Sequence, residues 1–249
     1  MADYLAPLNE RDLVTFYRRL ALSIQAKFGG DSLAAILLLH WLDGDGKDKV
    51  YPAKYVRDLA EVRSYLRDTA GPIFLSRRQT PSGSIGGVVP RIKGTIKCDP
   101  PGGPYPMHLE GNVETPLSVE AKAAVGIKVD GRELDALYAL HGFLLISDVV
   151  VSAAKISKSR MYNVRFERWT CKTSDEYHWD PKKHITVPNP DYCSKDKGAV
   201  APGEKEITVY HSNALRVEKA GLAKAFHNES EPWDEKTDLT VIGPTTVSV

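Results

Sequence analysis

Between residues 71 and 116 the chain carries eight of its sixteen prolines and eight of its nineteen glycines. A proline removes an amide donor and fixes φ, and a glycine weakens any element it interrupts, so no long helix can cross this stretch. The sequence therefore divides into a helical region, residues 1–70, and a β-rich domain, residues 71–249, with a short helix near 213–225. The expected class is α+β, an N-terminal helical region followed by a mainly antiparallel β-rich domain.

Ahead of that boundary the helical signals are clear. Asn9 suits an N-cap with Asp12 in the first turn, and Leu13, Phe16, Tyr17, Leu20, Ile24 and Phe28 recur at helical spacing until Gly29 and Gly30. Asp31 or Ser32 restarts the chain into residues 33–42, apolar on every side and too short to cross a bilayer. That pattern predicts a buried central helix. Pro52 fits the first turn of a third helix with Tyr55, Val56, Leu59, Val62 and Leu66 on one face. Beyond the boundary, residues 87–97, 107–113, 139–151, 162–171 and 206–211 have the composition and alternation of strands.

With 42% hydrophobic and 26% charged residues, 249 residues can bury a core, in one large domain or two small ones. Lys and Arg total 33 against 32 for Asp and Glu, so no net basic field draws the chain to a phosphate backbone, and nucleic acid is not an expected partner. The N-terminus lacks a basic segment followed by a long apolar run, which implies synthesis in the cytoplasm without a signal peptide and no transmembrane segment. Cys98, Cys171 and Cys193 are too few and too widely spaced for a zinc module. Free thiols are expected, and a Cys171 to Cys193 bridge only in an oxidising compartment. Asp43 begins a run like a calcium loop, but Lys47, Asp48 and Lys54 occupy positions that need an oxygen ligand, a glycine and a glutamate. His40 lies within the apolar run, where a hydrogen-bonded structural role is expected, while His108 and His227 read as loop or surface residues.

The densest polar constellation follows the strand predicted at 162–171. Asp175, Tyr177, His178, Asp180 and His184 fall within ten residues and offer acids, bases and metal ligands without long-range folding. In an extended segment Asp175, Tyr177 and Trp179 face one side, and Glu176, His178 and Asp180 the other. His184 can return across a turn. The same composition also suits a solvated hairpin with no chemistry.

The spacing of Asp175, Tyr177 and His184 resembles the catalytic signature of the colicin M family of bacteriocins. The resemblance implies a hydrolase that cleaves the lipid-linked peptidoglycan precursor at its phosphodiester, in the periplasm, with a divalent cation. His178 stands where that family carries a second aspartate and Ile185 where it carries an arginine. A second resemblance, over residues 177–181, 187–188 and 214–226, is to the C-terminal part of polymorphic toxins associated with type VI secretion. It implies an antibacterial effector acting on the cell envelope of a target cell, with an immunity protein and a secretion-apparatus component as partners. A non-enzymatic adaptor of that apparatus is the alternative.

Overall fold

The computed structural model describes residues 3–66, 105–113, 131–140, 142–155, 161–195, 199–235 and 245–248. Two compact units emerge, neither contiguous in sequence. The first comprises Met1–Tyr55, Glu114–Phe143 and Ser174–Glu229, and the second Val56–Val113, Leu144–Thr173 and Ser230–Val249.

In the first unit, helix α1 (Glu10–Phe28) starts where the Asn9 side chain accepts from the Asp12 amide at 2.9 Å. It buries Leu13, Phe16, Tyr17, Leu20, Ala21 and Ile24, the stripe expected from their spacing. Each large side chain on such a stripe gains about 1.5–3 kcal/mol from leaving water. Helix α2 (Leu33–Asp43) is capped by Ser32 and buries seven of its eleven residues, as an all-apolar helix must. His40 on α2 bonds the Lys47 carbonyl through Nε2 at 2.9 Å, and its ring meets Phe226 edge-on at 4.5 Å. Strand β1 (Lys49–Tyr51) follows. Where the sequence predicted a third helix from Pro52, the chain makes a 3-10 turn at Ala53–Tyr55.

The second unit holds α3 (Ala60–Tyr65) and the long strands. Strand β2 (Tyr105–Val113) covers the strand expected at 107–113. The strand expected at 87–97, with Cys98 and His141, lies outside the described residues. Helix α4 (Gly131–Leu140), part of the first unit, corrects the expected start of the next strand. Ala139 and Leu140 close this helix, and β3 (Phe143–Lys155) begins only after Gly142. Strand β4 (Met161–Tyr177) runs well past the expected residue 171 and contributes to both units.

The first unit also contains β5 (His184–Pro188), β6 (Glu206–Tyr210), α5 (His211–Lys219) and β7 (Phe226–Ser230) up to Glu229. Helix α5 starts two residues before the expected 213 and stops well short of 225. Gly221, in a left-handed conformation at φ +71°, directly follows the turn that ends it. Strands β5 and β6 form an antiparallel ribbon. In the larger sheet β7 lies between β1 and the C-terminal end of β4 within the first unit. Within the second, β3 lies between β4 and β2, while β8 (Trp233–Asp234) and β9 (Thr245–Ser248) add to β4 antiparallel. The class is α+β with helices first and strands after, although this sheet is mixed rather than wholly antiparallel. Among the described residues no helix is long and apolar enough to cross a membrane.

Candidate functional site

The C-terminal end of β4 pairs antiparallel with β7, setting Ser174 opposite Glu229, Asp175 opposite Asn228, Glu176 opposite His227 and Tyr177 opposite Phe226. Directly opposed residues project to the same side of a sheet and neighbours alternate. Asp175 and Tyr177 therefore share one face with Asn228 and Phe226, and Ser174 and Glu176 share the other with Glu229 and His227.

The first face is packed. Tyr177 stacks on Phe226 with ring centroids 5.0 Å apart and planes 16° from parallel, and burial raises its phenol pKa. Trp179, just past the strand, meets Trp41 at 5.3 Å and His211 at 4.9 Å, both edge-on. The two aromatic residues of the polar motif are thus anchors. Asp175 is partly buried beside them. Burial pushes its carboxyl up to about 7, opposed by the Glu176 amide and by the nearby His178 and His227 rings. Asn228, opposite it, is fully buried, and neither polar atom of its side chain has a hydrogen-bond partner.

The second face carries a relay. Glu176 Oε1 accepts from His227 Nδ1 at 3.1 Å, and His227 Nε2 lies 3.4 Å from Ser174 Oγ. With Nδ1–H committed to the carboxylate, Nε2 of the neutral ring is left as an acceptor for the serine hydroxyl. Glu176 is exposed, and Ser174 and His227 are partly so, which leaves the hydroxyl within reach of a substrate. A carboxylate that orients an imidazole, which in turn holds a hydroxyl, is the arrangement that makes a serine nucleophilic.

The five residues singled out from sequence do not gather at one point. Asp175 and Tyr177 lie on the packed face. His178 is exposed, its Nδ1 donating to the Glu176 carbonyl at 2.8 Å. Asp180 shapes the following turn: its carboxylate accepts from the Lys182 amide at 3.0 Å and its carbonyl from the Lys183 amide at 2.9 Å. That amide bond, with the Lys182 and Lys183 charges, holds the Asp180 carboxyl below its usual range. His184 opens β5 opposite Tyr210, exposed, with the two rings 5.6 Å apart. Among the described residues no three His, Cys, Asp or Glu side chains are grouped to hold a metal ion.

Cys171 is buried and Cys193 exposed, and both are free thiols, so the bridge that an oxidising compartment would have allowed is not formed. Ser174 escaped the sequence reading, and His227, expected in a loop or on the surface, lies half-buried on strand β7. A strand as polar as residues 226–230 gives no β signal, and without β7 nothing brings His227 to Ser174. The inward set of that strand, Phe226, Asn228 and Ser230, alternates only in burial, not in polarity. The chain matches no protein-family model, no characterised protein and no solved structure.

Proposed function

We propose that the chain is a hydrolase with Ser174 as nucleophile, working as an antibacterial effector on the bacterial cell envelope. The observation that carries the reading is the Glu176–His227–Ser174 relay on the open face of the β4–β7 pair. His227 removes the Ser174 proton as Oγ attacks an acyl or phosphoryl centre, and returns it to the leaving oxygen. Water, deprotonated by the same ring, then releases the covalent intermediate. Glu176 keeps the ring in the productive tautomer and balances its charge when protonated. The resemblance to envelope-directed bacteriocins suggests the setting and a lipid-linked phosphodiester as substrate, but its signature residues Asp175, Tyr177 and His184 are not those of the relay, and Tyr177 is engaged in packing against Phe226. The resemblance also implies a divalent cation, but the described residues do not group as a metal cage.

A different observation favours the adaptor reading. Tyr177 and Trp179 serve packing, while His178, Lys182, Lys183 and His184 stand exposed around one turn, as a protein-contact surface requires. Export of the chain to the periplasm of a susceptible bacterium separates the two. Growth arrest by the wild type, with Ser174→Ala and His227→Ala folded but harmless, is the expected result. Full toxicity of both variants would remove the relay from the account, and a folded, harmless wild type would favour the adaptor.

A further inference from the structure

A cavity of about 400 Å³ opens in the first unit where the end of α1, the start of α2 and the start of α4 approach one another. Phe28 and Tyr55 give it aromatic surface, and Lys27, Lys54 and Arg132 bring three cations against the carboxylates of Asp31 and Asp135. The two carboxylates are already engaged. Asp135 is buried at the start of α2, where it accepts from Ser32 Oγ at 2.5 Å, the Leu33 amide at 2.7 Å and the Ala34 amide at 3.2 Å. Asp31 accepts from Lys54 at 2.9 Å.

Lys27 differs from Lys54. Its ammonium lies 5.2 Å from the Phe28 ring centroid and 5.7 Å from that of Tyr138, and it has no carboxylate partner among the described residues. Ring faces attract a cation without neutralising it. One cation without a carboxylate partner beside aromatic surface, in a space of this size, is complementary to a ligand with a negative head and a flat apolar body. We infer that this cavity binds a small aromatic anion, a carboxylate or a phosphate ester. Lys27 meets the charge and Phe28 and Tyr55 meet the ring. The inference rests on the cavity alone and is independent of the Ser174 chemistry.

Isothermal titration of the full chain with phenyl phosphate and with benzoate tests it, with benzyl alcohol and inorganic phosphate as controls. Binding of at least one aromatic anion, about tenfold or more tighter than either control, is expected. The tighter of the two anions then identifies the head group. Lys27→Met is expected to weaken that binding about tenfold, the scale of one lost charge contact. A Cβ added at Gly131 meets nothing within 4 Å, so Gly131→Trp can place a ring in the cavity and should compete with the ligand. Both variants should keep the wild-type unfolding midpoint, and Gly131→Trp alone decides if Lys27→Met fails to fold. Equal binding of benzyl alcohol, no binding of either anion, or undiminished binding by a folded variant would overturn the inference.

Discussion

Asp175 sits on the packed face of the β4–β7 pair, where burial pushes its carboxyl up to about 7. An aspartate in an unfolded chain titrates near 3.9, so between roughly pH 4 and 7 the folded chain holds the extra proton. Its stabilising share is complete below about pH 4 and is lost as pH rises through 7. Asp175→Asn cannot ionise. It is expected to unfold about 1–3 kcal/mol less readily than the wild type at pH 8, and with little difference at pH 4. Urea titrations at the two pH values measure this, and a difference that does not change with pH would contradict it. The thiols give a second expectation at this scale. Cys171 is buried against Ser147 Oγ at 3.6 Å, and burial pushes its thiol up to about 12, whereas Cys193 is exposed. Since the thiolate is the reactive form, iodoacetamide should modify Cys193 in the native chain and reach Cys171 only after denaturation. Peptide mapping reads both sites, and equal native rates would show the buried environment to be wrong. Asp175 and Tyr177 were legible as chemistry-bearing types, and strand alternation correctly put them on one side. Which side faced the core depends on Phe226 and Trp41, far away in sequence.

Among the elements, α1 and α2 were the most legible, because caps and periodicity are local signals. Asn9 and Ser32 cap them at the expected positions. The second cap of α2 was not legible: Asp135, about a hundred residues away, takes the Leu33 and Ala34 amides that no intrahelical carbonyl can reach. A negative group there also meets the positive end of the helix. Asp135→Ala would leave those buried amides unpaired and should lower the unfolding free energy by about 2–3 kcal/mol. Asp135→Asn, able to accept one bond, should lose less. Chemical denaturation of both variants tests the order, and an Asp135→Ala chain as stable as wild type would contradict the cap. Strand β7 shows the opposite limit. Phe226, Asn228 and Ser230 face inward, so burial follows the two-residue period of a strand while polarity does not. Helix α4 was missed altogether: residues 139–151 were expected as one strand, and an apolar run of that kind can continue a helix or start a strand, which is why Ala139 and Leu140 fall on the helix instead.

For the whole molecule, helices come first and strands after, as the expected class has it, while most of residues 71–116, whose proline and glycine density set the boundary, lies outside the described residues. That density could not reveal that each compact unit is assembled from several separate segments, because strand pairing between distant segments leaves no local mark. The same property hid the relay: Ser174 and Glu176 are two residues apart, but His227 reaches them only through the β4–β7 register. Ser174 is the proposed nucleophile by virtue of this register. Treatment of the folded chain with a fluorophosphonate, followed by peptide mass mapping, tests this without knowledge of the substrate. One phosphonyl adduct on Ser174 is expected, with the labelling rate falling about 10²–10⁴-fold in His227→Ala, the usual contribution of a positioned general base. An unlabelled Ser174 in the folded wild type, or labelling undiminished in His227→Ala, would contradict the account.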